Sequence, residues 1–358
     1  MKKIFQSRQQ AVFAQVPAEI EAFLVTGLSN VRYLTGFTGS CGWVLLQKKA
    51  AFFFTDFRYQ EQAEQQVAGS AEITVFKNSL MEALEGFLKK KKIRRLGVEN
   101  TMMVEFYETF RGICKEEVRI LKGLTEKIRR VKDDSELVHL REAFAIADKA
   151  FGRVLPFVRP GRTEVEVAAK LEYLMRHFGS EGPSFPTIVA SGPRSSCPHA
   201  SPTDRRLQSE EMVKIDFGAV SGGYHSDMTR TVFLGKSTTQ FKSIYKIVLD
   251  AQKKAIAALR PGLTGKAIDT IAREHIQSKG YGDQFGHGLG HSLGLDIHEG
   301  PSLSPRCEDE ITAGMVFTVE PGIYVPGWGG VRIEDVFLVR ENGLEQLTKT
   351  PNSIRELS

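Results

Sequence analysis

Cysteine is scarce in this chain. Its 358 residues hold four, and Cys41, Cys114, Cys197 and Cys307 stand far apart with no CxxC spacing. That pattern excludes a disulfide scaffold and a cysteine-ligated zinc module, and predicts free thiols in a reducing compartment. No apolar run approaches the ~20 residues a membrane helix requires. After Met1-Lys2-Lys3, the residues Ser7, Arg8, Gln9 and Gln10 interrupt any hydrophobic stretch. No secretory signal is expected, and a cytoplasmic location is. Phosphate-binding loops and dinucleotide fingerprints are absent too. The net charge of +5 is slight for the length, whereas a nucleic-acid binder gathers cations on one face. The densest basic run, Lys89 to Lys92 with Arg94 and Arg95, reads as a solvated helix end, where cations suit the dipole. Neither nucleic acid nor membrane is an expected partner.

What is present is an ordinary globular composition, 41% hydrophobic and 25% charged, on a chain long enough for two domains. The first part reads as α/β. Strands are expected at 21–25, 43–47, 50–55 and 96–99, the middle pair joined by a tight hairpin at Lys48-Lys49. Helices are expected at 79–90 and 103–114. Around 122–135 the pattern breaks. Asp133, Asp134, Ser135 and Glu136 then signal the start of a long helix reaching about Leu155. The boundary is placed here, giving domains 1–127 and 128–358.

The second part echoes itself. Val158-Arg159-Pro160-Gly161-Arg162-Thr163 matches Leu259-Arg260-Pro261-Gly262-Leu263-Thr264. Each follows a long helical segment and precedes another, and after each a Met-Val pair opens an apolar strand. One strand ends at Asp216 and the other at Glu320, and a further acid follows each, Asp227 and then Glu334. A duplicated unit can pack about a pseudo-two-fold axis around one central site.

Acids beside apolar strands are expensive to bury alone. Four at duplicated positions would carry about four negative charges, which two divalent cations would cancel. Three of the eight histidines fall between 287 and 298, set among glycines. His287 and His291 are four apart, but the glycines argue against a zinc-binding helix. One imidazole with four carboxylates is an oxygen-rich set, suited to Mn²⁺ first, then Co²⁺, Fe²⁺ or Zn²⁺. Paired ions of this kind clamp a bridging hydroxide and polarise a carbonyl, so acyl-bond hydrolysis is expected. A rival motif, Gly290-His291-Ser292-Leu293-Gly294, fits the serine-hydrolase elbow. No apolar strand precedes it, and Asp296 and His298 are too close together to complete a triad.

These residues resemble the pita-bread metallopeptidases, in particular the Xaa-Pro aminopeptidases and prolidases. The resemblance lies in Ile215 to Gly218, Tyr224 to Thr231, Gly286 to Glu299, Thr318 to Tyr324 and Val331 to Asp335. Asn30 to Phe37 and Thr55 to Tyr59 are similar to the creatinase-type N-terminal domain of those enzymes. The implied fold is an α/β N-terminal domain plus an α+β pita-bread catalytic domain with internal pseudo-two-fold duplication. The implied ligands are Asp227 and Glu334 bridging two ions, Asp216 completing one shell, and His291 with Glu320 completing the other. His199 and His298 would face the substrate and help move protons, with Glu320 as another relay. Arg332 would orient a bridging acid. His287 and Tyr324 would lie at the substrate pocket. The implied reaction is cleavage of the Xaa-Pro bond at the N-terminus of proline-containing peptides. The alternatives are a dipeptidase (prolidase) and, from another class, a non-enzymatic peptide-binding module. A homodimer is implied as well.

Overall fold

The computed structural model describes residues 2–114 and 116–357. They form two compact units, Met1–Arg129 and Arg130–Ser358.

In the first unit the apolar runs build a six-stranded sheet. Its order is Glu72–Phe76, Ala50–Asp56, Trp43–Gln47, Ala22–Val25, Arg95–Glu99, Glu117–Leu121. The Lys48-Lys49 hairpin makes Trp43–Gln47 and Ala50–Asp56 antiparallel. The outer pairs and the pairing of Ala22–Val25 with Arg95–Glu99 are parallel. Helices Leu80–Lys91 and Val104–Ile113 cover one face, packing Leu84, Leu88 and Phe110 against Leu24, Trp43, Leu45 and Phe54. Ser79 caps the first of these helices through the Glu82 N–H, and its C-terminal lysines are exposed, as a solvated helix end should be.

The boundary region contains more structure than its sequence suggested. Leu124–Arg129 is a short helix that crosses the expected 127/128 division. Its Leu124, Thr125 and Arg129 are buried, and Arg129 donates to Asn30 Oδ1 at 2.6 Å, which ties the helix to the first unit.

The second unit repeats one pattern twice. Asp134–Val154 is a long helix opened by a capping box of Asp133 and Glu136. A turn leads to Glu164–His177, capped by Thr163. Strands Ile188–Ser191, Glu211–Phe217 and Met228–Leu234 follow, antiparallel to one another. The second pass has helix Thr239–Ala258, helix Gly265–Ser278 capped by Thr264, then strands Gly290–Ser292, Val316–Val319 and Asp335–Arg340, again antiparallel. The two turns agree in detail. Gly161 and Gly262 both adopt a left-handed φ, at 89° and 86°. Their N–H groups donate to Leu207 O and Ile311 O respectively. Each half also has its own core. Phe151, Leu171, Val213, Ile215 and Phe217 lie in the first, and Tyr245, Ile268, Phe317, Val319 and Phe337 in the second. Along Glu211–Phe217 the side chains of Val213, Ile215 and Phe217 enter the first core, so Lys214 and Asp216 share the opposite face.

Candidate metal centre

Strand register brings the acids together. In the first half Asp216 lies near the end of Glu211–Phe217, opposite Thr229, and Asp227 directly precedes that partner strand. In the second half Glu320 directly follows Val316–Val319, and Glu334 directly precedes its partner, where Val319 faces Asp335. Each half thus offers one acid at a strand end and one at the adjacent strand start. The halves meet where Glu334 N donates to Thr229 O at 3.2 Å and Thr229 Oγ1 donates to Glu334 Oε2 at 2.8 Å. Carboxylate oxygens of Asp216, Asp227 and Glu334 lie within 4.8 Å of one another.

His291 adds the nitrogen. Its Nε2 lies 3.6 Å from Asp227 Oδ2 and 3.5 Å from Glu320 Oε1. Its Nδ1 lies 3.0 Å from Ser292 O. A carbonyl only accepts, so Nδ1 carries a hydrogen and Nε2 is the atom aimed at the acids, the orientation a metal-binding imidazole requires. Thr318 Oγ1 accepts from His291 N and donates to Glu320 Oε1 at 3.1 Å, setting both side chains.

These acids fit a cation better than they fit one another. Burial, then the charges of neighbouring carboxylates, pushes Asp227 and Glu334 well above the usual carboxylate range. Burial also raises Glu320, against the opposing pull of His291 and Arg332. Asp216 Oδ1 and Glu334 Oε1 are buried with no hydrogen-bond partner, a costly condition for carboxylate oxygens. Arg332 supplies compensation through its contact with Asp216 and lies 3.9 Å from Glu320 Oε2. One guanidinium leaves most of the negative charge unmatched. Asp216, Asp227, Glu334, Glu320 and His291 together suit two divalent ions in an oxygen-rich shell.

The acids line a cavity of about 600 Å³, along with His199, His287, His298, Arg332, Phe185, Pro186, Ile188 and Ile297. His298 stacks edge-on against His291, ring centroids 4.4 Å apart, and burial lowers its pKa. Burial pulls His287 down to about 4, so its ring is neutral. Its Nδ1 faces Gly288 O at 2.8 Å, so Nε2 accepts from the Tyr324 hydroxyl at 2.9 Å. That hydroxyl in turn accepts from Arg332 at 2.9 Å, and burial pushes Tyr324 up to about 12.

Two placements depart from the expectations. Arg332 contacts Asp216, whereas the resemblance had it orienting one of the bridging acids, Asp227 or Glu334. Its strand partner position and its Nε bond to Thr229 Oγ1 at 3.0 Å aim the guanidinium across the first half's strand end. Tyr324 is not among the cavity-lining residues and stands one contact behind them, linked through His287 and Arg332. Sequence reasoning missed Thr229, Thr318 and Lys214. The two threonines could have been found from strand alternation, which puts them beside the acids. The same alternation puts Lys214 on the face of Asp216, but its partners, sixteen to nineteen residues upstream, carry no signal in the sequence.

The sequence matches two family models, metallopeptidase family M24 over residues 138–341 and the creatinase/prolidase N-terminal domain over residues 16–131. It is 45% identical to an uncharacterised peptidase of Bacillus subtilis, over 94% of this chain and 95% of that one. Among solved structures, an Xaa-Pro dipeptidase from Bacillus anthracis is 42% identical, with a TM-score of 0.95 and 100% of each chain covered. An X-Pro aminopeptidase from Thermotoga maritima is 37% identical, with a TM-score of 0.89, covering 94% of this chain and 98% of the other.

Proposed function

Since the chain belongs to metallopeptidase family M24, we propose that this metallo-exopeptidase is an Xaa-Pro aminopeptidase, releasing the residue that precedes proline at a peptide N-terminus. Its fold is the expected α/β N-terminal domain plus α+β pita-bread catalytic domain. We assign residues 1–129 to the former and 130–358 to the latter, because helix Leu124–Arg129 packs with the first unit. The observation that carries the reading is the convergence of Asp216, Asp227, His291, Glu320 and Glu334 on one cavity, with two carboxylate oxygens lacking any donor.

In this reading Asp216, Asp227, His291, Glu320 and Glu334 would hold two divalent ions, with Asp227 and Glu334 shared between them as the resemblance implies. Mn²⁺ is the first choice. Bound there, the ions supply Lewis acidity and an activated water. The protein's own groups do the rest. The apolar wall of Phe185, Pro186, Ile188 and Ile297 offers a proline ring its burial. An Xaa-Pro bond has no N–H, so the site needs no backbone acceptor there. The departing proline nitrogen must gain a proton. Glu320, on the cavity wall, is one group that would receive a proton and pass it on. His298 and His199 stand on the cavity wall to orient the carbonyl and relay that proton. Arg332 holds Asp216 in place, and His287 with Tyr324 braces the pocket from behind.

A dipeptide would end in a carboxylate a few ångströms past the scissile bond. Among the described lining residues, Arg332 is the one Lys or Arg, and its N–H groups serve Asp216, Thr229, Tyr324 and Pro198 O. That favours a longer peptide. The second reading, a dipeptidase, is favoured by the name of the similar Bacillus anthracis protein. Rates on Xaa-Pro dipeptides and on Xaa-Pro tripeptides separate the two. Chelation should abolish both activities and Mn²⁺ restore them. Full activity in stripped protein would overturn the metal reading. A cytoplasmic location and a homodimer complete the proposal. The free cysteines suit a reducing compartment, and no helix among the described residues is long and apolar enough to cross a membrane.

A further inference from the structure

Lys214 occupies a strand whose every residue is buried, and it is itself fully enclosed. A lysine nitrogen there is costly unless its hydrogens find acceptors. Its Nζ meets three backbone carbonyls, Ser195 O at 3.1 Å, Cys197 O at 2.6 Å and Pro198 O at 3.1 Å. The Tyr324 ring centroid lies 5.1 Å from the same nitrogen. The lysine's N–H donors are therefore spent on these carbonyls. All belong to one short segment, and the next residue is His199 on the cavity wall.

The same segment is fastened from the other half of the catalytic unit. Ser195 Oγ accepts from Gly330 N at 2.8 Å, and Arg332 donates to Pro198 O at 3.2 Å. A Cβ on Gly330 would stand 2.3 Å from Ser195 O, so only glycine permits this approach. Strand alternation puts Lys214 on the face of Asp216, two residues away. The segment bearing His199 is thus hung from the strands that bear Asp216 and Arg332.

We propose that Lys214 is a positioning residue: by holding the carbonyls of Ser195, Cys197 and Pro198 it fixes where the His199 imidazole meets the substrate. The proposal rests on the reading that His199 serves the peptidase reaction. It identifies a residue that acts through another, since Lys214 lines no part of the cavity. A lysine that merely filled space would be replaceable by methionine at no cost to His199.

The test is a double-mutant cycle of Lys214→Met and His199→Ala on the full chain, with metal content and melting temperature recorded for every variant. Lys214→Met should keep its ions and lower kcat/KM by about ten- to a hundredfold, mainly in kcat, as small misplacements of reacting groups do. In the His199→Ala background the same change should cost less than about twofold, because the group being positioned is gone. Independent losses that multiply, or loss of the ions in Lys214→Met, would overturn the proposal. A second readout needs no substrate. The His199 ring resonances should shift in Lys214→Met while those of His177 and His275 stay in place, and an unmoved His199 signal in folded protein refutes the idea. Should methionine prevent folding, Lys214→Gln, which keeps N–H donors, takes its place: it should keep its ions and lose less than about tenfold in kcat/KM, and a loss near a hundredfold in folded, loaded protein would overturn the proposal. An active His199→Ala enzyme would instead count against the role given to His199 above, and the ring signal would still report on Lys214.

Discussion

Glu334 shows how one side chain can be costly alone and useful with a partner. One of its oxygens takes a hydrogen bond from Thr229 and the other has none. Glu334→Ala should therefore abolish activity and lower the ion content together. A loss above about a hundredfold is expected, since even outer partners of metal ligands cost 10–100-fold. The metal-free variant should melt no lower than the metal-free parent, because a crowded carboxylate has been removed. Elemental analysis beside a melting curve checks both halves of the expectation. At this scale the sequence was informative about the acids, whose positions at strand ends could be read in order. It was silent on the imidazole tautomer of His291, which a carbonyl next to it in the chain decides, and on Lys214, whose acceptors lie sixteen to nineteen residues upstream.

Between elements, the first catalytic helix is clipped to the hairpin of Asp335–Arg340 and Gly343–Gln346. Arg141 Nε donates to Glu345 Oε1 at 2.8 Å, and Arg340 donates to Glu345 Oε2 at 2.5 Å. The Arg141 bond, then the Arg340 bond, holds the carboxyl at about 2 against the opposing effect of burial. A depressed folded-state pKa stabilises the fold above the unfolded value, and that stability is lost as pH falls toward 2. Glu345→Gln should thus lower the melting temperature at neutral pH and converge with the parent as acid is added. Parallel curves down to pH 2 would contradict this. Secondary structure was legible where local signals were strong. The Asp133–Glu136 capping box and the Lys48-Lys49 hairpin both stand as expected. The edge strands Glu72–Phe76 and Glu117–Leu121 were not anticipated, being short and mostly half-buried, although the Ile-Thr-Val-Phe run of the first is a strand signal. Helix Leu124–Arg129 was hidden by its brevity and its basic residues, its burial being a tertiary fact.

For the whole molecule, ions are expected to act as a staple. Buried acids that hold protons in stripped protein give them up when a cation arrives, so loading couples to pH and to folding. At a hundredfold excess over Kd, each bound ion would add about 2.7 kcal/mol. A unit of this size gains about 2–4 °C per kcal/mol. Calorimetry of chelated protein should show a melting point lower by several degrees, restored by Mn²⁺. Equal melting points would mean the acids do not engage cations. The duplicated architecture itself was visible in the paired Arg-Pro-Gly turns and the matched order of acids. How the halves lock, through Thr229 and Glu334, became visible only in three dimensions.

The repeat is faithful in its turns and unfaithful at one place. By strand register, Ala190 faces Lys214, two residues before Asp216, while His291 lies against Thr318, two residues before Glu320. A methyl group in one half therefore occupies the station that an imidazole holds in the other. On the proposed ligand assignment, twin berths built this way would not be interchangeable: one would present oxygen alone, the other nitrogen too, and their preferences among cations would differ accordingly. A singly charged-up enzyme would then be a chemical individual in its own right, and not the midpoint between empty and full.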